Sequence, residues 1–390
     1  MSALAGIKVL DFTQMMTGPM ATMLLADFGA DVIKIEQPDG DPFRRSGESA
    51  IGKDGAFFLA INRNKRGIVL DLKTAQGRET AQSLAAEADV LIENFRPGFT
   101  GRVGLGYERL RESNPRLIYC SITGFGQTGP DRHRPALDQT IQAISGLMQV
   151  TGTKESGPLK IGFPFSDLVT ALMATIGVLT ALQARERSGA GQRVDLSMLD
   201  ASLFSHVPRD VYYAVTGRTP ERWGNSHWDL VPNNVYPSSD GHGIMVITIN
   251  DKFWKILCDA MGDPEFATDP RYATKAARLA NRDSLDARLG RLFVRRTRAE
   301  WEHVLSTAGA IYGAVRTWPE VFSDPHVVEN MLRPMPHPSG TTYNVINNPL
   351  RLSGTPPEIR LRPPSLGEHN AQLSGMSGWP EAPADIGSAV

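Results

Sequence analysis

Asp167 is the residue whose position most clearly suggests chemistry. It ends the segment GFPFSD (162–167) and stands directly before residues 168–184, which carry no charged side chain. One interpretation is an N-cap, the commonest role of aspartate where a helix begins. The other is a carboxylate nucleophile that the positive end of the helix keeps ionised and that apolar surroundings leave poorly hydrated. The two interpretations are compatible.

A set of basic residues lies in predicted loops or at predicted helix starts, and several of them directly follow predicted strands. Side chains placed in this way could face one crevice and bind a polyphosphate. The set therefore indicates a phosphorylated cofactor. Its members are Arg63, Lys65, Arg66, Lys73, Arg96, Arg102, Arg132 and Arg134.

A GxGxxG pattern, GFGQTG (124–129), follows the predicted strand LIYCSI (117–122). A dinucleotide site needs a helix that starts inside such a pattern, whereas PDRHRP (130–135) predicts a loop here. NAD binding is therefore not expected. A glycine turn at the carboxyl end of a strand still lies where open α/β sheets bind their ligands.

Composition and spacing exclude several classes of protein. The eight histidines form no HxxxH or HExxH pair and the two cysteines form no CxxC, so no metal site is expected. The 41 basic and 42 acidic residues leave a net charge of −1, which argues against nucleic-acid binding. The chain starts without a secretory pattern, and residues 168–184 are too polar for a good membrane span. We expect a cytoplasmic protein, no membrane partner and a buried core helix at 168–184.

Alternating elements position these residues. The pattern predicts strands at 7–12, 31–35, 88–92 and 117–122, with a helix from Gly18 and another at 75–87. Such alternation is typical of a parallel, doubly wound α/β sheet. Residues 216–237 are rich in Gly, Pro, Asn and Trp and predict a loop or linker. A strand at 244–249 and helices at 252–261, 283–294 and 298–306 then predict a smaller α/β domain.

Long stretches of the chain resemble the class III CoA-transferases, the family of formyl-CoA transferase and of the carnitine and bile-acid CoA-transferases. The segment ERWGNSHWDLVPNN (221–234) is particularly similar to the branch that acts on dicarboxylates such as succinate and glutarate. The resemblance covers nearly the whole chain in order. It is carried by VLDFTQMMTGPMATMLLADFGADVIKIEQP (9–38), NRNKRGIVLDLKTAQGRE (62–79), ENFRPGFTGRVGLGYERL (93–110), LIYCSITGFGQTGP (117–130) and GPLKIGFPFSDLVTALMATIGVLTALQARERSGAGQRVDLSML (157–199).

The resemblance implies a fold that the residue patterns alone do not give. It implies a large Rossmann-like, CoA-binding domain at 1–200, completed by 330–390, a linker at 201–225 and a small α/β domain at 226–325. Residues 326–390 then form the return linker and the C-terminal part of the large domain. Two such subunits would interlock as a homodimer.

The same resemblance implies CoA transfer between an acyl-CoA, with succinyl-CoA as a possible donor, and a small carboxylic or dicarboxylic acid. Asp167 matches the nucleophile, which would form an acyl anhydride and then an aspartyl-CoA thioester. Asp138 matches an acidic residue near the nucleophile and is grouped with the CoA-binding positions. The implied CoA contacts are Met16, Thr17, Leu70, Lys73, Asn94, Phe95, Arg96, Arg102 and Arg134.

The sequence also departs from two branches of the family. Formyl-CoA transferase has Gln at the position of Met16, Arg at that of Gln37, and a tetraglycine loop that is missing here. These differences weigh against formate or oxalate as the substrate. The alternative activity is an acyl-CoA racemase or isomerase. The racemase branch has a His directly before the position of Asp138, and Leu137 stands there instead.

Overall fold

The computed structural model describes residues 2–47, 50–373 and 378–380. Over these residues its strands are, in chain order, β1 Lys8–Asp11, β2 Asp31–Glu36, β3 Ala50–Ile51, β4 Asp54–Gly55, β5 Lys65–Val69, β6 Val90–Glu93, β7 Ile118–Thr123, β8 Gly152–Thr153, β9 Gly157–Pro158, β10 Arg193–Ser197, β11 Asn233–Pro237, β12 Gly243–Ile247, β13 Ile311–Ala314, β14 Leu332–Pro336 and β15 Thr342–Ile346.

The helices of the described residues are α1 Thr17–Asp27, α2 Ala56–Ile61, α3 Ala75–Glu87, α4 Phe99–Arg102, α5 Tyr107–Ser113, α6 Asp138–Ile144, α7 Leu147–Val150, α8 Phe165–Ser188, α9 Met198–Phe204, α10 Arg209–Thr216, α11 Asp251–Met261, α12 Lys275–Ala280, α13 Arg282–Phe293, α14 Arg298–Ala308, α15 Trp318–Ser323 and α16 Pro325–Asn330. Short 3₁₀ turns lie at Pro42–Arg45, Pro264–Ala267 and Asn370–Leu373.

A six-stranded parallel sheet forms the centre of the first compact unit, in the order β10-β7-β6-β1-β2-β5. The prediction of an α/β fold with a parallel sheet is therefore confirmed. The chain adds β2 and β5 on one side of β1 and later places β6 on the other side. The loops after β1 and β6 therefore diverge, and such a switch point is where open α/β sheets bind ligands.

Alternating side chains of the strands build a core on each face of this sheet. Leu10, Ile33 and Leu91 pack on the face covered by α3 and α5. Their neighbours Val9 and Val32 pack on the opposite face, against α1 and α8. Successive residues of a strand point to opposite sides, so a sheet buried on both faces needs continuous apolar runs. That requirement explains why these strands were readable in the sequence.

Two strands of the sheet are absent from the sequence prediction. β5 begins with Lys65 and Arg66, and two charged residues in sequence do not suggest a buried strand. In the structure both are buried because each forms an ion pair, with Asp11 and Asp31 respectively. β10 alternates exposed and half-buried residues at the sheet edge. Helix α3, by contrast, spans the predicted residues 75–87.

Helix α8 is the long apolar helix predicted for residues 168–184. Small residues, among them Ala171 and Ala174, pack its inner face against the sheet. Leu172 and Ile176 on the outer face are 43% and 54% exposed, so the helix is buried on one side only. By length and composition α8 alone among the described helices could cross a membrane, but core helices of soluble proteins pass the same test.

The chain divides into two compact units, Met1–Leu147 with Lys160–Gly217 and Pro325–Val390, and Met148–Leu159 with Arg218–Asp324. Residues 148–159, which the sequence analysis assigns to the first domain, belong to the second unit. That unit contains the antiparallel sheet β11-β12-β13. Its core includes Trp254, Phe293 and Trp301. The prediction of a loop over residues 216–237 is wrong at its C-terminal end, because β11 occupies Asn233–Pro237 and pairs with β12.

Candidate active site

The site lies at the switch point of the parallel sheet. Gln14 follows β1 and Asn94 follows β6, and the two residues join the diverging loops. The Gln14 amide N–H donates to Asn94 Oδ1 at 2.9 Å, and Asn94 Nδ2 donates back to the Gln14 carbonyl at 2.8 Å. This reciprocal pair fixes the two loops against each other at the carboxyl edge of the sheet.

Buried charges hold the loop between β1 and α1. Lys34 Nζ donates to the Thr13 carbonyl at 2.8 Å, and Asp41 Oδ1 accepts from the Met15 amide at 3.2 Å. Met15 has φ +64°, a left-handed conformation that a non-glycine residue keeps only when its surroundings impose it. Gly18 is the second residue of α1, and a Cβ there would lie 2.3 Å from Thr13 Cβ. Glycine is therefore required for this tight entry into the helix.

Helix α1 presents Thr17 to the carboxylate of Asp167. Thr17 is the first residue of α1 and is buried, and its hydroxyl donates a hydrogen bond to Asp167 Oδ1. Asp167 lies in the first turn of α8, so the first turns of two long helices meet at this carboxylate. Burial raises the pKa of Asp167 to about 6, with a further upward contribution from Asp138, and the Thr17 hydrogen bond opposes both.

The interpretation of Asp167 as an N-cap is wrong, because another carboxylate supplies the cap. Pro164 occupies the N-cap position of α8 and offers no side-chain hydrogen bond. Instead, Asp138 Oδ1 accepts from the amides of Ser166 at 2.8 Å and Asp167 at 3.3 Å. Gln142 Nε2 donates to the other oxygen of Asp138 at 2.7 Å. The Asp167 carboxylate is consequently not used in capping.

A cavity of about 300 Å³ opens at Asp167. Six of the predicted site residues line it together, namely Met16, Thr17, Asn94, Arg96, Asp138 and Asp167. The structure thus brings the candidate nucleophile Asp167, the second acidic position Asp138 and four of the positions matched to CoA contacts into one crevice.

A second cavity of about 440 Å³ shares Asn94 and Arg96 with the first and adds Phe95. Its lining also includes Arg132 and Arg134 and, among the residues that the structure describes, no carboxylate. Gly124 and Ala136, which both line this cavity, approach each other closely. The approach requires glycine at position 124, because a Cβ there would lie 2.4 Å from Ala136 Cβ. Three guanidinium groups without a competing acid suit phosphate oxygens.

The remaining predicted CoA positions lie outside these two cavities. Leu70 lines a small cavity of about 20 Å³ beside Gln14, together with Phe95, which also lines the second cavity. Lys73 follows β5 and is exposed, and its backbone amide donates to Asp71 Oδ1 at 2.9 Å. Arg102 ends the short helix after β6 and is also exposed. All of them follow strands of the parallel sheet, but the structure does not bring Lys73 or Arg102 to Asp167.

The basic set of the sequence analysis does not act as one group. Arg63, Lys65 and Arg66 are buried and bind Asp27 at 2.7 Å, Asp11 at 3.0 Å and Asp31 at 2.6 Å, respectively. These three residues stabilise the fold, and their assignment to a phosphate crevice is wrong. The charge of a residue gives no information about its burial, so the sequence could not separate them from Arg96, Arg132 and Arg134.

Sequence reasoning also missed residues that position the site. Gln14 and Asp41 hold the loop before Thr17, and Gln142 connects Asp138 to the segment before α8 by accepting from the Ile161 amide at 2.8 Å. One signal was available: Asp138 and Gln142 are four residues apart and therefore share a helix face. Nothing in the sequence indicates that Asp41 reaches the backbone of Met15.

The loop Trp223–Trp228 belongs to the second unit. His227 Nδ1 accepts from the amides of Asp229 at 3.0 Å and Leu230 at 3.1 Å. The Arg282 guanidinium lies 4.8 Å from the Trp223 ring centroid. These contacts give the loop a defined conformation within its unit.

Comparisons with a family model, with related sequences and with solved structures all match nearly the whole chain. A family model described as CoA-transferase family III matches residues 4–370. The chain is 39% identical to the succinyl-CoA:mesaconate CoA-transferase of Haloarcula hispanica, over 97% of each chain. It is 37% identical to the succinate–glutarate CoA-transferase of Agrobacterium fabrum, over 95% of this chain and 94% of that protein. A crystal structure of a CAIB/BAIF family protein from Brucella suis superimposes with a TM-score of 0.88 at 37% identity, covering 96% of this chain and 98% of that one.

Proposed function

The chain belongs to CoA-transferase family III, and we propose that it moves CoA from succinyl-CoA or a similar acyl-CoA to a small dicarboxylic acid, with Asp167 as the nucleophile. One observation carries the proposal: a part-buried carboxylate faces a crevice at the switch point of the sheet, beside a cavity lined by three arginines. Two relatives, named for succinyl-CoA:mesaconate and succinate–glutarate CoA transfer, support the choice of substrates.

The reaction conserves the energy of the thioester through covalent intermediates. An Asp167 carboxylate oxygen attacks the acyl carbonyl of the donor, and the carbon–sulfur bond breaks. CoA departs as the thiolate, and a mixed anhydride forms between Asp167 and the acyl group. The thiolate then attacks Cγ of Asp167, which gives an aspartyl-CoA thioester and releases the donor acid with the bridging oxygen. The acceptor carboxylate attacks the same Cγ and expels thiolate, and thiolate attack on the acceptor carbonyl restores Asp167.

The surroundings of Asp167 suit this role. Burial raises its pKa to about 6, so the carboxylate is mostly ionised at neutral pH but incompletely hydrated. A carboxylate with few water molecules is a better nucleophile than a solvated one. Both intermediates hydrolyse in water, so a site within a crevice also protects them.

The arginine-lined cavity is the proposed position of the CoA phosphates. Arg96 lines both the cavity that contains the reacting carboxylate and the cavity that contains the remaining two arginines. Asn94, Phe95 and Met16 are proposed to contact the part of CoA nearer the thioester. Leu70, Lys73 and Arg102 remain proposed contacts for the parts of CoA that extend beyond the two cavities.

An interlocked homodimer is part of the proposal. Large apolar side chains are exposed over residues 203–215, and a monomer rarely leaves such a surface in water. They are Leu203, Phe204, Val207, Val211, Tyr213 and Val215, with exposed fractions from 47% to 78%. Light scattering after size-exclusion chromatography checks this, and a monomeric mass at micromolar concentration would contradict it.

The first experiment tests Asp167 directly. The protein is incubated with succinyl-CoA, quenched in acid and mapped by peptide mass spectrometry. We expect a CoA adduct on the Asp167 peptide that hydroxylamine removes, and none with Asp167→Asn, which should still bind CoA. Asp200→Asn is a matched control, because Asp200 lies in the first turn of α9 and does not line either cavity.

A panel of acids then identifies the acceptor. We expect turnover with succinate, glutarate or mesaconate and little with monocarboxylic acids of equal length. Exchange of the acyl α-proton with solvent deuterium in the absence of an acceptor, with no adduct on Asp167, would instead establish the racemase alternative.

A further inference from the structure

The hydroxyl of Thr17 has one hydrogen-bond acceptor among the described residues, and that acceptor is Oδ1 of Asp167. Thr17 is 4% exposed, and the loop before it is fixed by Asn94 and Asp41, so the hydroxyl is held in place. The branched side chain of threonine also restricts rotation about χ1. The family resemblance assigns Thr17 to CoA binding, but the structure places its polar atom on the nucleophile.

We propose that Thr17 is a catalytic residue. Its hydroxyl donates a hydrogen bond to Oδ1 of Asp167, so that Oδ2 is the oxygen that attacks the donor. The same hydroxyl then stabilises the oxyanion that forms on Oδ1. The inference rests on the proposed role of Asp167 as the nucleophile and extends it. It concerns the two steps in which the aspartyl carbon is itself the electrophile.

The atoms require such a donor. After the first step Oδ2 bridges Asp167 Cγ and the acyl carbon, and Oδ1 is the carbonyl oxygen of the aspartyl half. When CoA thiolate attacks Cγ, a carbon–sulfur bond forms and the negative charge moves to Oδ1. An electron pair on Oδ1 re-forms the carbonyl double bond as the bond between Cγ and Oδ2 breaks, and the donor acid leaves as a carboxylate that carries Oδ2 and the negative charge. Attack of the acceptor carboxylate on the aspartyl-CoA thioester places charge on Oδ1 again.

A neutral hydroxyl fits both states of Asp167. It donates to the ionised carboxylate without a positive charge that would hold the carboxylate in an unreactive ion pair. The same donor gains strength when charge concentrates on Oδ1, and a donor that binds the transition state better than the ground state accelerates the reaction.

Three variants test the proposal. Thr17→Val keeps the shape and removes the donor, Thr17→Ser keeps the donor, and Thr175→Val is the matched control. Thr175 is a buried threonine of α8 whose hydroxyl donates to the Ala171 carbonyl at 2.9 Å, away from both cavities. Circular dichroism and CoA binding establish that each variant is folded before kinetics are measured.

The rate of aspartyl-CoA formation from donor alone, followed by rapid quench, is the first readout. Loss of one oxyanion donor slows such steps by about a hundredfold. We expect that decrease for Thr17→Val, a decrease of less than about tenfold for Thr17→Ser, and a rate close to wild type for Thr175→Val.

The pH profile of kcat/KM is the second readout, and a merely structural role would not change it. Because the Thr17 hydrogen bond favours ionised Asp167, we expect the acid limb of Thr17→Val to move upward by about one pH unit. An unchanged rate of adduct formation in Thr17→Val, or an acid limb that stays in place, would overturn the proposal. If wild type itself forms no adduct on Asp167, the proposed function fails instead, so the two failures are distinguishable.

Discussion

Asp138 provides a stringent test of how the site is built, because its two oxygens have different partners. Oδ1 accepts the first amides of α8, and Oδ2 accepts Gln142 Nε2 at 2.7 Å. Asp138→Asn can keep a carbonyl oxygen toward the helix, but its new amide then faces the Gln142 amide. One buried donor loses its acceptor, which costs about 1–3 kcal/mol, and the capping bonds lose their charge.

We therefore expect Asp138→Asn to lower the free energy of unfolding by about 2–3 kcal/mol. Adding Gln142→Glu exchanges the amide and the carboxylate between the two positions. In the wild type the Ile161 amide donates to Gln142 at 2.8 Å. A carboxylate at position 142 can accept from both this amide and the new side-chain amide at position 138. The double variant should recover about 1 kcal/mol or more of the loss.

Urea unfolding at one protein concentration measures this cycle. Activity gives an independent check with a defined sign. The charge of Asp138 contributes to the raised pKa of Asp167, so Asp138→Asn should move the acid limb of kcat/KM to lower pH, opposite to Thr17→Val. Wild-type stability in the single variant, or no recovery in the double variant, would refute the capping account.

Three further predictions follow from named contacts. The wild-type kcat/KM should fall as pH drops through about 6, because the nucleophile becomes protonated there, and a profile flat down to pH 4 would contradict an Asp167 nucleophile. Arg134→Gln should raise KM for acyl-CoA by about tenfold but leave KM for the acyl-pantetheine thioester unchanged, as steady-state kinetics with both thioesters can show. Lys65→Met should lower stability by about 3–5 kcal/mol in urea unfolding, because it leaves the buried Asp11 carboxylate without its 3.0 Å partner, and a loss below about 1 kcal/mol would contradict that ion pair.

The sequence alone determined the elements whose cause is local. Helix α3 lies at the predicted residues 75–87, and the apolar runs of β1, β2, β6 and β7 were recognisable because a sheet covered on both faces buries every side chain of a strand. The position of Asp167 directly before a long apolar helix was also visible. The segments that resemble the class III CoA-transferases placed the chain in that family.

Only the tertiary structure decided which charges bind ligands and which stabilise the fold. Lys65 and Arg134 look alike in the sequence, yet Lys65 is buried against Asp11, whereas Arg134 lines a cavity in which no acid occurs among the described residues. The capping hydrogen bonds of α8 likewise come from Asp138, which is distant along the chain from the helix that it caps. Contacts between residues far apart in sequence depend on the order of strands in the sheet, and no local pattern encodes that order. The meeting of Thr17 and Asp167 is such a contact, because it exists only where the first turns of α1 and α8 come together.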